Sequence, residues 1–144
     1  MPDDLAPDCF ICRKQRGEQA PPPSGYLYKD ACYHVCHAPA ALALPGTLIV
    51  EARRHFLDFA EMTPEEAAGY GPLLARLYAA IRRATGAERV YALVTLEGAP
   101  HFHTWLVPRL PGETARGVAL LAAERSCSEA EALAAAEAIR AALG

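Results

Sequence analysis

Apolar positions recur at helical spacing in the middle of the chain, at Tyr70, Leu73, Leu74, Leu77, Tyr78 and Ile81. Such a stripe predicts a helix with one face in a core. Its start is marked by Thr63 as N-cap, Pro64 at the first helical position and Glu66 completing a capping box; Gly86 ends it. Around it lie shorter β-type runs: Tyr26 to Lys29, Ala31 to Ala38, Thr47 to Ala52, Arg89 to Leu96 and His101 to Val107. Pro45-Gly46 and Pro111-Gly112 are turn chemistry, Glu97-Gly98-Ala99-Pro100 suits a hairpin link, and Pro108 is expected to stop the last strand. The order of strands, helix, strands, helix, joined by hairpins, favours an α+β fold on an antiparallel sheet.

The two ends read differently. Residues 1–25 show no periodicity and hold Pro21-Pro22-Pro23, so they are expected to form a loop-like arm. Residues 26–110 hold the strands and the long helix, and 111–144 an Ala-rich helical tail, all within one domain. In the tail Ser128 and Glu131 form a second capping box, opening a helix of about 15 residues, a length that is marginal alone. Its apolar face needs a cover, from the sheet or a second copy, and a homodimer is the expected outcome.

Composition narrows the function classes. With 144 residues and 52% apolar content, the chain can bury a real core. A net charge of −3 argues against a basic nucleic-acid face but not against a small phosphorylated ligand. No segment reaches the roughly 18 consecutive apolar residues of a membrane helix. The acidic start Met1-Pro2-Asp3-Asp4 is unlike a signal peptide, which points to the cytoplasm. Five cysteines, an odd number in a reducing compartment, suggest ligands or buried thiols rather than disulfides.

Two motifs carry chemistry. His101, His103 and Trp105 alternate along a strand and are expected to line one face. Paired imidazoles there serve metal ligation or nucleophilic and acid–base work near neutral pH. Cys9 and Cys12 have the spacing by which one tight turn delivers two thiolates to one ion. Cys32, His34 and Cys36 form a competing set on one strand face, although neighbours there are about 6.5–7 Å apart, long for one tetrahedral ion. Cys32 and Cys36 are read as buried apolar thiols. His34 and His37 point to opposite faces, so only one of them can enter a cleft.

His101-Phe102-His103-Thr104-Trp105-Leu106-Val107-Pro108-Arg109 resembles the signature of the histidine-triad family, His-x-His-x-His followed by apolar residues and often Pro-Arg. Upstream, Pro45-Gly46-Thr47-Leu48-Ile49-Val50 with Arg53-Arg54-His55 is similar to the family's Pro-Gly-His segment, and Cys9-Phe10-Ile11-Cys12 to the Cys-x-x-Cys that opens many bacterial members. The match runs from about residue 8 to residue 109 in the right order. The resemblance implies a five-stranded antiparallel sheet with one long helix, here followed by a C-terminal helix, paired into a homodimer. It implies nucleoside phosphoramidates, dinucleoside polyphosphates or nucleotide sugars as substrates. The middle histidine, here His103, would attack the α-phosphorus. By the same resemblance His55 and His101 join Cys9 and Cys12 around Zn2+.

The chain departs from the family pattern in ways that bear on activity. Trp105 stands where the third histidine would be, and indole offers one N–H donor and no acceptor. Thr47 replaces the histidine of the Pro-Gly-His segment, and Glu97 stands where Gln is frequent. No acid or amide takes the ribose position, where Cys36-His37-Ala38-Pro39 lies instead. Trp105, His37 and Thr47 are therefore the candidate substrate contacts. Two readings follow: a nucleotide hydrolase or nucleotidyl transferase using His103, and a catalytically weakened nucleotide- or partner-binding protein that keeps a structural zinc.

Overall fold

The computed structural model describes residues 8–144; the first seven residues of the expected arm lie outside the described residues. Five strands, β1 (Tyr26–Lys29), β2 (Tyr33–His37), β3 (Leu48–Ala52), β4 (Arg89–Leu93) and β5 (His103–Arg109), form one antiparallel sheet in the order β1-β2-β3-β5-β4. The helices are α1 (Phe10–Gln15), α2 (Pro64–Thr85), α3 (Val118–Ala122) and α4 (Glu129–Leu143). The architecture is the expected α+β one.

Side-chain alternation gives the sheet two unlike faces. Tyr33, Val35, Leu48, Val50 and Leu106 turn toward α2 and α4 and join Leu73, Leu77, Ile81, Ala136 and Ile139 in one core. Cys36, Ile49, Glu51, His103 and Trp105 turn the other way. Both long helices begin at the expected capping boxes, Thr63 with Glu66 and Ser128 with Glu131. Gly86 closes α2 in the left-handed conformation at φ 73°, which glycine adopts without a Cβ penalty. The apolar stripe of α4, Ala132, Ala136 and Ile139, is buried against α2 and β1 of the same chain. Arg140 also reaches the backbone carbonyls of Ser24 and Tyr26. The tail therefore does not of itself require a second copy.

Four local expectations are corrected. The arm is not all loop: α1 forms in it, with the Cys9 thiol accepting from the Cys12 N–H at 3.4 Å and Ile11 and Cys12 buried. β2 starts at Tyr33 rather than Ala31, because Asp30 Oδ1 accepts from the backbone N–H of both Cys32 and Tyr33 at 2.7 Å and holds that stretch as a turn. Pro108 does not stop β5. The ladder with β3 ends at Leu106, so at Pro108 only β4 lies alongside, and a residue without an N–H is tolerated where one flank is open. Finally, β5 starts at His103, and β4 ends at Leu93 opposite Trp105. His101 lies before the strand in a bend, its N–H donating to the Ala99 carbonyl at 2.8 Å.

Candidate functional site

The bend sets His101 ahead of the β5 ladder, and its side chain faces α1 while Phe102 turns into the helix-side core. The His101 ring, fully buried, meets Cys9, Cys12 and His55. His101 Nδ1 lies 3.3 Å from Cys9 Sγ, 3.4 Å from Cys12 Sγ and 3.1 Å from His55 Nδ1; His55 Nδ1 lies 3.6 Å from Cys12 Sγ. All four donor atoms fall within 4.8 Å of one another. Tetrahedral zinc, with bonds of about 2.3 Å to sulfur and about 2.05 Å to nitrogen, separates its ligands by about 3.5 Å for sulfur–nitrogen and about 3.3 Å for nitrogen–nitrogen pairs. The cluster thus has the donor set, the spacing and the burial that suit a zinc site. His101 Nε2–H donates to the Ala52 carbonyl at 2.7 Å, which fixes the tautomer with the Nδ1 lone pair toward the thiols. Burial, reinforced by His55 alongside, drops the His101 pKa to about 4, so the ring is the neutral form a metal requires.

His101 also serves the next residue on the sheet. Its carbonyl accepts from His103 Nδ1–H at 2.7 Å. That bond places the remaining lone pair of His103 on Nε2. His103 and Trp105 line a cavity of about 560 Å³ together with Phe10, Ile11 and Lys14 of α1 and Leu42, Ile49, Glu51 and Leu93. Trp105, half-buried between Ile49 of β3 and Leu93 of β4, forms part of the wall beside His103.

The cavity contains a charged group that sequence reading missed. Glu51 stands opposite His103 in the β3–β5 ladder and is 1% exposed. Its Oε1 accepts from the Tyr26 hydroxyl at 2.8 Å and from Gln15 at 3.3 Å, and its Oε2 from Lys14 Nζ at 2.6 Å. Lys14 also donates to Cys36 Sγ at 3.1 Å. Burial works against the Lys14 charge, but Cys36 and Glu51 outweigh it and the pKa is raised, so the ammonium persists. Burial, with Glu51 adding to it, pushes the Cys36 thiol up to about 12. The available signal was a carboxylate in an otherwise apolar run, Leu48-Ile49-Val50-Glu51-Ala52.

The other candidates lie elsewhere. His37 donates from Nδ1 to the Ala38 carbonyl and accepts the Gly46 N–H at Nε2, so both ring nitrogens hold backbone. It lines an adjoining cavity of about 350 Å³, not that of His103. Thr47 donates to the Leu44 carbonyl at 2.8 Å and lines a small cavity on the far side of Trp105. Cys32 is half-buried beside the helix core, whereas Cys36 is the buried partner of Lys14 and not a purely apolar thiol. His34 is pushed down to about 4 by burial and by Lys29 and Arg53 nearby.

No family profile and no curated protein matches the chain. Solved structures do match its fold. A zinc-bound histidine triad family protein from Mycobacterium smegmatis is 22% identical, with a TM-score of 0.72 over 94% of this chain and 93% of that one. A Hit-like protein from Bartonella henselae, involved in cell-cycle regulation, is 15% identical, with a TM-score of 0.73 over 96% and 98%. A hypothetical histidine triad nucleotide-binding protein from Sulfolobus tokodaii is 16% identical, with a TM-score of 0.73 over 94% and 91%. The chain therefore has the histidine-triad fold along nearly its whole described length.

Proposed function

We propose that this chain, built on that fold, is a histidine-triad nucleotide hydrolase or nucleotidyl transferase acting at a nucleoside α-phosphate, with His103 as nucleophile and zinc held by Cys9, Cys12, His55 and His101. The observation that carries the reading is the His103 Nδ1–H bond to the His101 carbonyl, which leaves the Nε2 lone pair for a ligand in the cavity. A neutral imidazole needs no prior deprotonation to attack phosphorus. In the first step the Nε2–phosphorus bond forms as the bond to the leaving group breaks, giving a nucleotidyl-histidine; the leaving group takes its proton from solvent. In the second step water or an acceptor hydroxyl adds to phosphorus, His103 departs with the bonding pair, and the attacking oxygen releases its proton. Held by Cys9, Cys12, His55 and His101, a zinc ion would have no open position for substrate and would anchor α1 rather than act as a Lewis acid.

Trp105 favours a second reading, nucleotide binding without turnover, because indole cannot protonate a leaving group at neutral pH. Incubation with adenosine phosphoramidate and diadenosine polyphosphates, followed by mass spectrometry, separates the two. A nucleotidyl adduct on His103 that is lost in His103→Ala supports the enzyme. Tight binding with neither adduct nor turnover supports the binder, and no interaction with any nucleotide overturns both. We further place the protein in the cytoplasm, where five cysteines without a disulfide stay reduced, as a homodimer; a single-chain mass by light scattering at micromolar concentration would refute the dimer.

A further inference from the structure

The cavity around His103 has one cationic lining residue among the described ones, and its position is fixed unusually well. Lys14 and Phe10 lie four residues apart on α1, one above the other on the same face. Both line the cavity, and Phe10 is 56% exposed there, facing a space whose other large apolar edge, Leu42, is 62% exposed. Two solvent-facing apolar side chains at one cavity suit a flat ring system between them. Lys14 Nζ is held over β2 and β3 by Cys36 and Glu51, whereas His103 projects from β5 on the other side of β3. With strands about 4.8 Å apart, the ammonium stands more than one strand spacing from the nucleophile, which leaves room for a sugar between phosphorus and ring.

Glu51 itself is closed to a ligand. It is 1% exposed, and its oxygens already take Tyr26, Gln15 and Lys14. Lys14 is not closed: an ammonium has three hydrogens, two of them meet Glu51 and Cys36, and the Tyr26 ring stands 5.7 Å away at its centroid without accepting a hydrogen bond. What Lys14 offers a ligand at this end of the cavity is therefore a donor.

We propose, building on the nucleotide reading above, that Lys14 reads the edge of the base and that the cavity selects purines bearing a 6-carbonyl over adenine. A carbonyl oxygen accepts from the ammonium. The 6-amino group of adenine presents hydrogens to hydrogens and leaves the charged donor without the water it has lost. Glu51 acts as the positioning residue, fixing where the ammonium stands.

The test is the equilibrium affinity of the full-length, zinc-loaded protein for inosine and adenosine monophosphates, which differ at the 6-substituent and in the N1 proton that accompanies the carbonyl. A hydrogen bond to a charged donor predicts that the wild type prefers the inosine nucleotide by about tenfold or more. Lys14→Met combined with Glu51→Gln removes both charges together, so no buried charge is stranded. This variant should keep its zinc stoichiometry and bind the two nucleotides within about twofold of each other. Equal affinities in the wild type, a preference for the adenosine nucleotide, or a preference that survives in the double variant would each overturn the assignment while leaving the nucleotide reading intact. If the wild type binds neither nucleotide and His103 acquires no adduct, the nucleotide reading falls and this inference with it. Should the double variant fail to fold, the wild-type comparison alone decides.

Discussion

The two faces of the sheet are held by different physics. Toward α2 and α4 the contacts are mainly hydrocarbon, with hydroxyl bonds at Tyr33 and Tyr70, and Leu77, Ile81 and Ile139 lie fully buried among like neighbours. Toward α1 the buried groups are a carboxylate, an ammonium, thiols and imidazoles, and each depends on a specific partner. Hydrophobic burial is non-directional and tolerates small shifts, whereas a buried charge or a ligand set fails when one member is lost. The helix face should therefore govern whether the chain folds, and the α1 face whether the site is assembled.

Leu77→Ala should produce the largest loss, about 4 kcal/mol of global stability by denaturant unfolding, because it opens a cavity among packed side chains. A loss below 1 kcal/mol would break the contrast. Glu51→Ala comes next, at about 3 kcal/mol, since it strands the Lys14 ammonium in a buried setting. The companion Lys14→Met/Glu51→Gln protein should recover most of that loss, and equal destabilisation of the two would count against a buried-charge cause.

Acid sharpens the comparison at the junction between the two regions. Glu66 caps α2 and pairs with Arg54 at 2.9 Å. Burial opposes its charge, but the hydrogen bonds from Arg54 and Thr63 prevail and hold its carboxyl below the usual range. Its contribution, about 1 kcal/mol, is therefore full above the ordinary glutamate value and is lost as pH falls through the depressed one. Glu66→Gln should flatten that part of the stability profile; an unchanged acid limb would contradict the assignment.

Chelation should leave the helix face nearly untouched. Removing metal is expected to expose Arg13, Lys14 and Arg16 to trypsin while the unfolding transition of the core persists, and Cys9→Ser or His55→Ala should behave alike. Simultaneous loss of arm and core would refute the division. Cys32→Ser is the smallest change, within about 0.5 kcal/mol and with zinc content intact.

Much of this was legible in the sequence wherever the signal was local. Thr63-Pro64 with Glu66, and Ser128 with Glu131, specify helix starts through bonds made within four residues. Alternation gave the five strands to within a few residues. Cys9, Cys12, His55 and His101 were named together only through family resemblance, since no local rule brings residues 46 positions apart into one cluster. α1 went unread because six residues are too short to show a period. Glu51 carries no local mark of its partner either: Lys14 lies 37 positions away, and only the pinning of α1 to the sheet unites them. His101 lies ahead of the strand that alternation extended to it, in a bend where its ring meets the thiols and the Ala52 carbonyl.

His101 occupies a shared hinge between two chemistries. One ring nitrogen faces the thiols, the other grips Ala52, and its carbonyl orients His103. A substitution at position 101 is therefore judged twice, once at the Cys/His cluster and once by its effect on His103, and a gain at one site has to survive its effect on the other. Position 105 carries no such double duty, its side chain standing on a cavity wall clear of the thiols. Room for drift in this site thus lies downstream of His103, where an indole already stands, and a change in the shape of the cavity runs through the wall before it reaches the hinge.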